Sequence, residues 1–203
     1  MVVQAGLGQN PARIASVRAG IAPATPVLTL NAVCLASLEA VCDATRRIRN
    51  GEGHSYLVGG FDSMSRAAQL ALGEFDGQEQ EIRSALDVDG LQCAISGLSM
   101  GVLSEACNRQ LGIDRQAQDA WALMSQQRAA ASAAFREAQE LVPVRTEAGI
   151  VCSDQGIRLD SSIERIAALR PAFGETGTIT AANASQMSDG ASAGVVVIGK
   201  VLA

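Results

Sequence analysis

Over the first sixty positions, short unbroken apolar runs alternate with stretches in which apolar residues recur every three or four places. Met1 to Ala5 reads as the end of a strand, followed by a turn, Gly6-Leu7-Gly8-Gln9-Asn10-Pro11. Pro11 suits the first position of a helix, which the pattern carries from Ala12 to Ala19 before Gly20 stops it. Pro26 to Leu30 is a buried-type strand. Cys34 to Arg49 is the strongest helix of this half. It sets Leu38, Val41, Thr45 and Ile48 at helical spacing, with Arg46, Arg47 and Arg49 at the end where the dipole favours cations. Ser55 to Gly60 and Ala193 to Leu202 read as interior strands. This alternation predicts an α/β chain, a mostly parallel sheet with helices on both faces.

Between these segments the pattern turns helical. Ser99 to Leu111 and Arg115 to Leu141 are predicted helices, the second long and alanine-rich. Val144 to Ile157 predicts a hairpin turning at Gly149. Ser161 to Arg170 predicts a helix, opened by a capping-box-like Ser161-x-x-Glu164 and ended before Pro171. Residues 1–61 and 181–203 therefore read as the sheet-bearing core, and 62–180 as a mainly helical insertion carried by it.

Composition narrows the chemistry. Aromatics are only 3% of the chain against 48% apolar residues overall, so Ala, Val, Leu and Ile must build the core. The net charge of −5 and the lack of a basic stripe argue against nucleic acid as a partner. No apolar run reaches membrane-spanning length, and the start carries no secretory pattern. Five cysteines without a CxxC, and the single histidine His54, leave few ligands for a metal. Free thiols in a reducing, cytoplasmic setting are expected.

One cysteine stands apart. Asn31-Ala32-Val33-Cys34 joins a strand to a helix, so Cys34 faces the positive helix end and unpaired backbone N–H groups. Both favour thiolate, the reactive form, and the N–H groups could hold an oxyanion. Cys42 lies among apolar residues two turns on, and Cys93, Cys107 and Cys152 have no context that singles them out. A base is harder to find. His54 precedes the strand at 55–60, at its amino end, whereas ligands of parallel sheets bind beyond the carboxyl ends. Gly6-Leu7-Gly8 lacks the remaining features of a dinucleotide site.

Taken together, several motifs give a specific match. Leu30-Asn31-Ala32-Val33-Cys34-Leu35-Ala36-Ser37-Leu38-Glu39-Ala40 resembles the nucleophile motif of the thiolase family, thioester-dependent Claisen enzymes using coenzyme A. Gly6 to Arg13, Gly59-Gly60-Phe61-Asp62-Ser63-Met64-Ser65, Asp89-Gly90-Leu91 and Met100-Gly101 stand in family order. So do Gln118 to Arg128, Leu169 to Phe173 and Gly177 to Ser185.

The resemblance implies the N-terminal half of a thiolase, with 62–180 as its coenzyme A-binding loop domain and Cys34 as the acyl-accepting nucleophile. It implies that Leu91, Met100, Phe173 and Ser185 line the pantetheine channel and that Arg158 lies near the nucleotide end. Coenzyme A and acyl-CoA are then substrates, with no permanently bound cofactor. It also implies a dimer or tetramer, with the strand at 27–30 near the dimer contact. Departures fall at Ala36, Ser37, Ser99, Ala182 and Gln186, where family members usually carry other residues.

A complete thiolase has a second half with a Gly-His-Pro histidine, an Asn-Glu-Ala-Phe loop and another cysteine, none of which occurs in this sequence. The family's first strand and helix also look absent. The expected function is thiolase-type acyl transfer, of the acetyl-CoA C-acetyltransferase kind, in a chain weakly active or inactive alone. The alternative is a non-catalytic coenzyme A-binding or assembly remnant that pairs with a complete thiolase or with a separate C-terminal half.

Overall fold

The computed structural model describes residues 3–72 and 81–199. The chain forms two compact units, Met1–Gly97 with Met187–Ala203, and Leu98–Gln186. The boundaries from contacts thus fall at 97/98 and 186/187, where the sequence pattern sets them at 61/62 and 180/181. Met64, Ala67, Ala68, Leu70 and Leu91 stay with the first unit, packed onto Val3, Ala85 and Leu86.

In the first unit, helix α1 (Pro11–Arg18) opens on Asn10, whose side chain accepts from the Arg13 amide. The same side chain donates to the Val27 carbonyl at 3.2 Å, and the Ala12 amide donates to Thr29 Oγ1 at 3.1 Å. The extended segment 27–30 is therefore tied to the helix through side chains and forms no strand ladder.

Helix α2 (Ala36–Arg49) starts two residues later than the periodicity predicts, with Leu35 as N-cap. Strand β1 (Ser55–Ser63) pairs with β6 (Asp189–Val197) from Ser55↔Val197 to Ser63↔Asp189. Helix α2 lies against both strands, with Ala36 and Ala44 buried. Gly60 makes that approach possible, since a Cβ there would overlap Ser37 Oγ. The bulkier Leu35, Leu38 and Val41 are exposed.

Strands β2 (Gln69–Leu72) and β3 (Glu81–Ser84) form a second ribbon, followed by one π-helical turn over Leu86–Leu91.

The α/β class holds, but the expected parallel ladders do not. Every pair of strands among the described residues runs antiparallel. β6 starts at Asp189, four residues earlier than the sequence pattern suggests, and returns alongside β1 in the reverse direction. Met1, Val2 and residues 200–202, which complete two of the expected strands, lie outside the described residues.

The second unit holds α3 (Met100–Leu111), α4 (Arg115–Ala131), α5 (Ala133–Gln139) and α6 (Ile163–Ala167). Ser99 and Asp114 cap α3 and α4 through their side chains. The single helix expected over Arg115–Leu141 is broken at Ser132. Its hydroxyl donates to the Ala129 carbonyl and accepts from Arg136 Nε, an alternative to the helical ladder. α6 is shorter than expected and is capped by Ser162, while Ser161 Oγ donates to the Arg158 carbonyl. The hairpin forms as β4 (Val144–Thr146) and β5 (Gly149–Val151).

Candidate functional site

Cys34 sits on a tight turn between the extended segment 27–30 and α2. Asn31 Oδ1 accepts from the Val33 amide at 2.9 Å, and the Leu35 and Ala36 amides fold back onto the carbonyls of Ala32 and Val33 at 3.1 Å. Val33 takes φ +54°, the one positive φ among non-glycine residues described. A β-branched residue pays about 1–2 kcal/mol in that region. Such strain is stored where a backbone must follow one course. Here the course leaves Cys34 exposed, one residue before the N-cap of α2, and no side chain caps that helix. The expectation that Cys34 itself begins the helix is thus corrected by two positions.

The other thiols differ. Cys42 is half-buried on α2, while Cys107 and Cys152 are exposed. Cys93 is half-buried, and its thiol is held below the ordinary range by the Ser96 hydroxyl first, then by the Ser96 and Ile95 amides. The sequence offered no sign of this, because the donors belong to a turn closed by Gly97 N–H on the Cys93 carbonyl. His54 is exposed immediately before β1.

Leu91 closes the π-helical turn and packs on the cluster of Val3, Ala85 and Leu86. The other four candidates belong to the second unit. Met100 opens α3, half-exposed. Phe173 lies over Gly101, where a Cβ would overlap its ring, so Met100 and Phe173 are brought to one place. Arg158 is exposed, its amide donating to Gln126 Oε1 at 2.8 Å. The preceding Gly156 carbonyl accepts from Gln186 Nε2 at 3.1 Å and from Gln126 Nε2 at 3.4 Å. Ser185 is exposed beside Gln186.

Beneath these residues runs a polar framework that pattern reading passed over. Glu105 on α3 is 6% exposed and accepts from the Thr178 amide, the Thr178 hydroxyl and the Ile179 amide at 2.7–3.0 Å. Burial pushes its carboxyl up. The Ile179 and Thr178 donors, with Arg109, outweigh that and hold it below the ordinary carboxylate range. Gln118 Nε2 donates to Thr178 Oγ1 at 2.9 Å. No sequence signal marked Glu105, since the same face of α3 also carries Asn108 and Arg109. Among the described residues no group of three His, Cys, Asp or Glu could hold a metal ion. No described helix is long and apolar enough to cross a membrane.

The chain thus carries a strained cysteine turn in an α/β unit and a mainly helical insertion within the sequence of that unit. This chain belongs to the thiolase family: the model of the thiolase N-terminal domain matches residues 1–200. A probable acetyl-CoA acetyltransferase of Escherichia coli is 40% identical over 200 residues, covering 95% of this chain and 51% of that protein. A second E. coli relative, an acetyl-CoA acetyltransferase, is 39% identical over 97% of this chain and 52% of its own length. The Acat5 thiolase of Ascaris suum, solved with coenzyme A, superposes with a TM-score of 0.86 at 33% identity, over 99% of this chain and 53% of that one. The acetyl-CoA acetyltransferase of Syntrophomonas wolfei gives 0.87 at 30%, over 99% and 52%. The chain spans about half the length of the curated relatives it matches.

Proposed function

We propose that this chain carries the nucleophile and the coenzyme A-holding part of a thiolase-type acyltransferase. The observation that carries the reading is the Asn31–Ala36 turn, with Val33 left-handed and Cys34 exposed before an uncapped helix. The Cys34 thiolate attacks the carbonyl carbon of an acyl-CoA thioester. A sulfur–carbon bond forms to Cys34, and coenzyme A leaves as a thiolate that takes up a proton. The positive end of α2 stabilises the oxyanion of the tetrahedral intermediate. Attack of coenzyme A on the acyl-Cys34 thioester reverses the step.

The coenzyme A-holding part is the insertion, residues 62–180 by sequence. Met100, Phe173 and Ser185 face the pantetheine arm and Arg158 the nucleotide phosphates, a match of guanidinium to phosphate that favours arginine. We assign Leu91, in the first unit, a pantetheine contact as well. Five free thiols fit a reducing compartment, and we assign the chain to the cytoplasm.

The alternative, a non-catalytic coenzyme A-binding or assembly module, draws support from His54. The only histidine stands exposed before β1, whereas Ser37, at the start of α2, packs on Gly60, six residues further along, which sets His54 far from Cys34. Turnover then requires a base from outside these 203 residues, such as that of a thiolase C-terminal half or of a complete thiolase subunit. The exposed Leu35, Leu38 and Val41 support a covering partner, in a dimer or tetramer or with such a half.

The deciding experiment is intact-mass analysis of the 203-residue chain after incubation with acetyl-CoA. An acetyl adduct that Cys34→Ala abolishes is the expected result. No adduct together with measurable coenzyme A binding favours the non-catalytic module. An adduct that survives in Cys34→Ala refutes the assignment of the nucleophile.

A further inference from the structure

Acyl transfer leaves one buried group of the second unit without a task. Asp119 on α4 is 2% exposed. One carboxylate oxygen accepts from Arg115 Nε at 2.7 Å, and the other from Asn183 Nδ2 at 2.9 Å. Asn183 also donates to the Thr178 carbonyl at 3.2 Å and accepts from the Thr180 amide at 2.7 Å. Thr180 is fully buried, and its carbonyl takes the amides of Asn183 and Ala184. Residues 178–184 are thereby wound into a turn fastened to α4, and Ser185 is the next residue.

The same turn is tied to the segment that leads into Phe173. The Ala172 amide donates to the Ile179 carbonyl at 2.8 Å, and Pro171 bridges Thr180. Arg115 extends the fastening, donating from Nη2 to the carbonyls of Ile166 and Leu169 at 2.8 and 3.1 Å.

Burying a carboxylate is costly, and an apolar residue would pack α4 as well. What the charge adds is direction. Three hydrogen bonds fix the Asn183 amide, one of them to Asp119, and that amide fixes the backbone that leads into Ser185.

We infer that Asp119 and Asn183 are positioning residues for the coenzyme A site. They set the place of Ser185 and Phe173, and so the grip on the pantetheine arm, without touching the ligand. This rests on the coenzyme A reading above.

Calorimetric titration of the full chain with coenzyme A, and with 3′-phosphoadenosine 5′-diphosphate, which lacks the pantetheine arm, tests it. Asn183→Ala should weaken coenzyme A about tenfold, the size of one hydrogen bond to a charged group. The nucleotide should change by less than about twofold, the usual scatter between independent sites. Asn183→Ala and Ser185→Ala together should lose no more than the larger single loss. Asp119→Asn, which keeps the shape and one acceptor, should give a smaller loss of the same kind, with a cooperative thermal melt. Equal weakening of both ligands, additive losses in the cycle, or wild-type affinity in Asn183→Ala would overturn the inference alone. A wild-type chain that fails to bind coenzyme A would overturn the coenzyme A reading and this inference with it.

Discussion

At the scale of single residues, the most informative is Val33, not the cysteine beside it. A valine at φ +54° carries about 1–2 kcal/mol of strain. Replacing a valine by glycine ordinarily lowers stability through backbone entropy, by about 0.5–1 kcal/mol. Here the relief of strain offsets that cost. Val33→Gly should therefore unfold in urea at the wild-type midpoint or slightly above it, and a loss beyond about 1 kcal/mol would contradict the strained geometry. The residue-level reading of the sequence found Cys34 by the strand-to-helix junction. It could not find the strain, because valine is an ordinary strand residue and nothing in its neighbours announces a left-handed backbone. Nor could it find Cys93, whose hydrogen bonds come from residues two and three places further on.

Secondary-structure elements were legible where a helix declares its own ends. α3 and α4 begin at Ser99 and Asp114, side chains that cap whatever follows them. Asp114 Oδ1 accepts from the Ala117 amide at 2.8 Å. Asp114→Ala should cost about 1 kcal/mol, read as a lowered melting temperature with the circular dichroism spectrum retained. Element boundaries failed where a hydroxyl chose a local partner. Ser132 splits a helix whose apolar spacing runs on unbroken, and Ser162 takes the capping role that Ser161 and Glu164 together suggested.

The loops of the second unit are held through Glu105. Because its carboxyl lies below the ordinary range, folding favours the charged form. Its stabilising contribution is present above the unfolded value of about 4.3 and is lost as pH falls through the lower folded value. Glu105→Gln, which leaves the Thr178 and Ile179 donors imperfectly matched, should melt lower than wild type at pH 7. The two should converge progressively as the pH falls below the unfolded glutamate value of about 4.3 and through the lower folded value. Parallel melting curves across that range would refute the role given to this carboxylate.

For the whole molecule, class and family were readable from motif order, and strand direction was not. Apolar runs at 27–30, 55–60 and 193–202 look alike whether their neighbours run parallel or antiparallel. The ladder partner of β1 is decided by a return that no local pattern encodes. Helix α2 turns small Ala36 and Ala44 toward the strands and leaves Leu35 and Leu38 about 60% exposed. Periodicity set Leu38 and Val41 at helical spacing, which marks an apolar face without saying what covers it. An uncovered face of this kind drives association. Sedimentation velocity should show concentration-dependent assembly of the isolated chain, and Leu38→Lys should shift it toward the monomer. A monomer at all concentrations would mean that the face stays bare.

The ribbon of β1 and β6 has a consequence in time. Ser63 and Asp189 meet across a separation of 126 residues. A ribosome adding about 5–20 residues each second needs roughly 6–25 s to make that stretch. For that interval the strand that carries Tyr56, Leu57, Val58 and Phe61 has emerged without the strand it will pair with. Residues 98–186 are synthesised, and make their own contacts, while it waits. The order of translation thus makes the loop unit the first to mature and the sheet ribbon the last to close. A nascent chain paused before residue 189 would expose an open strand edge, of the kind that chaperones bind.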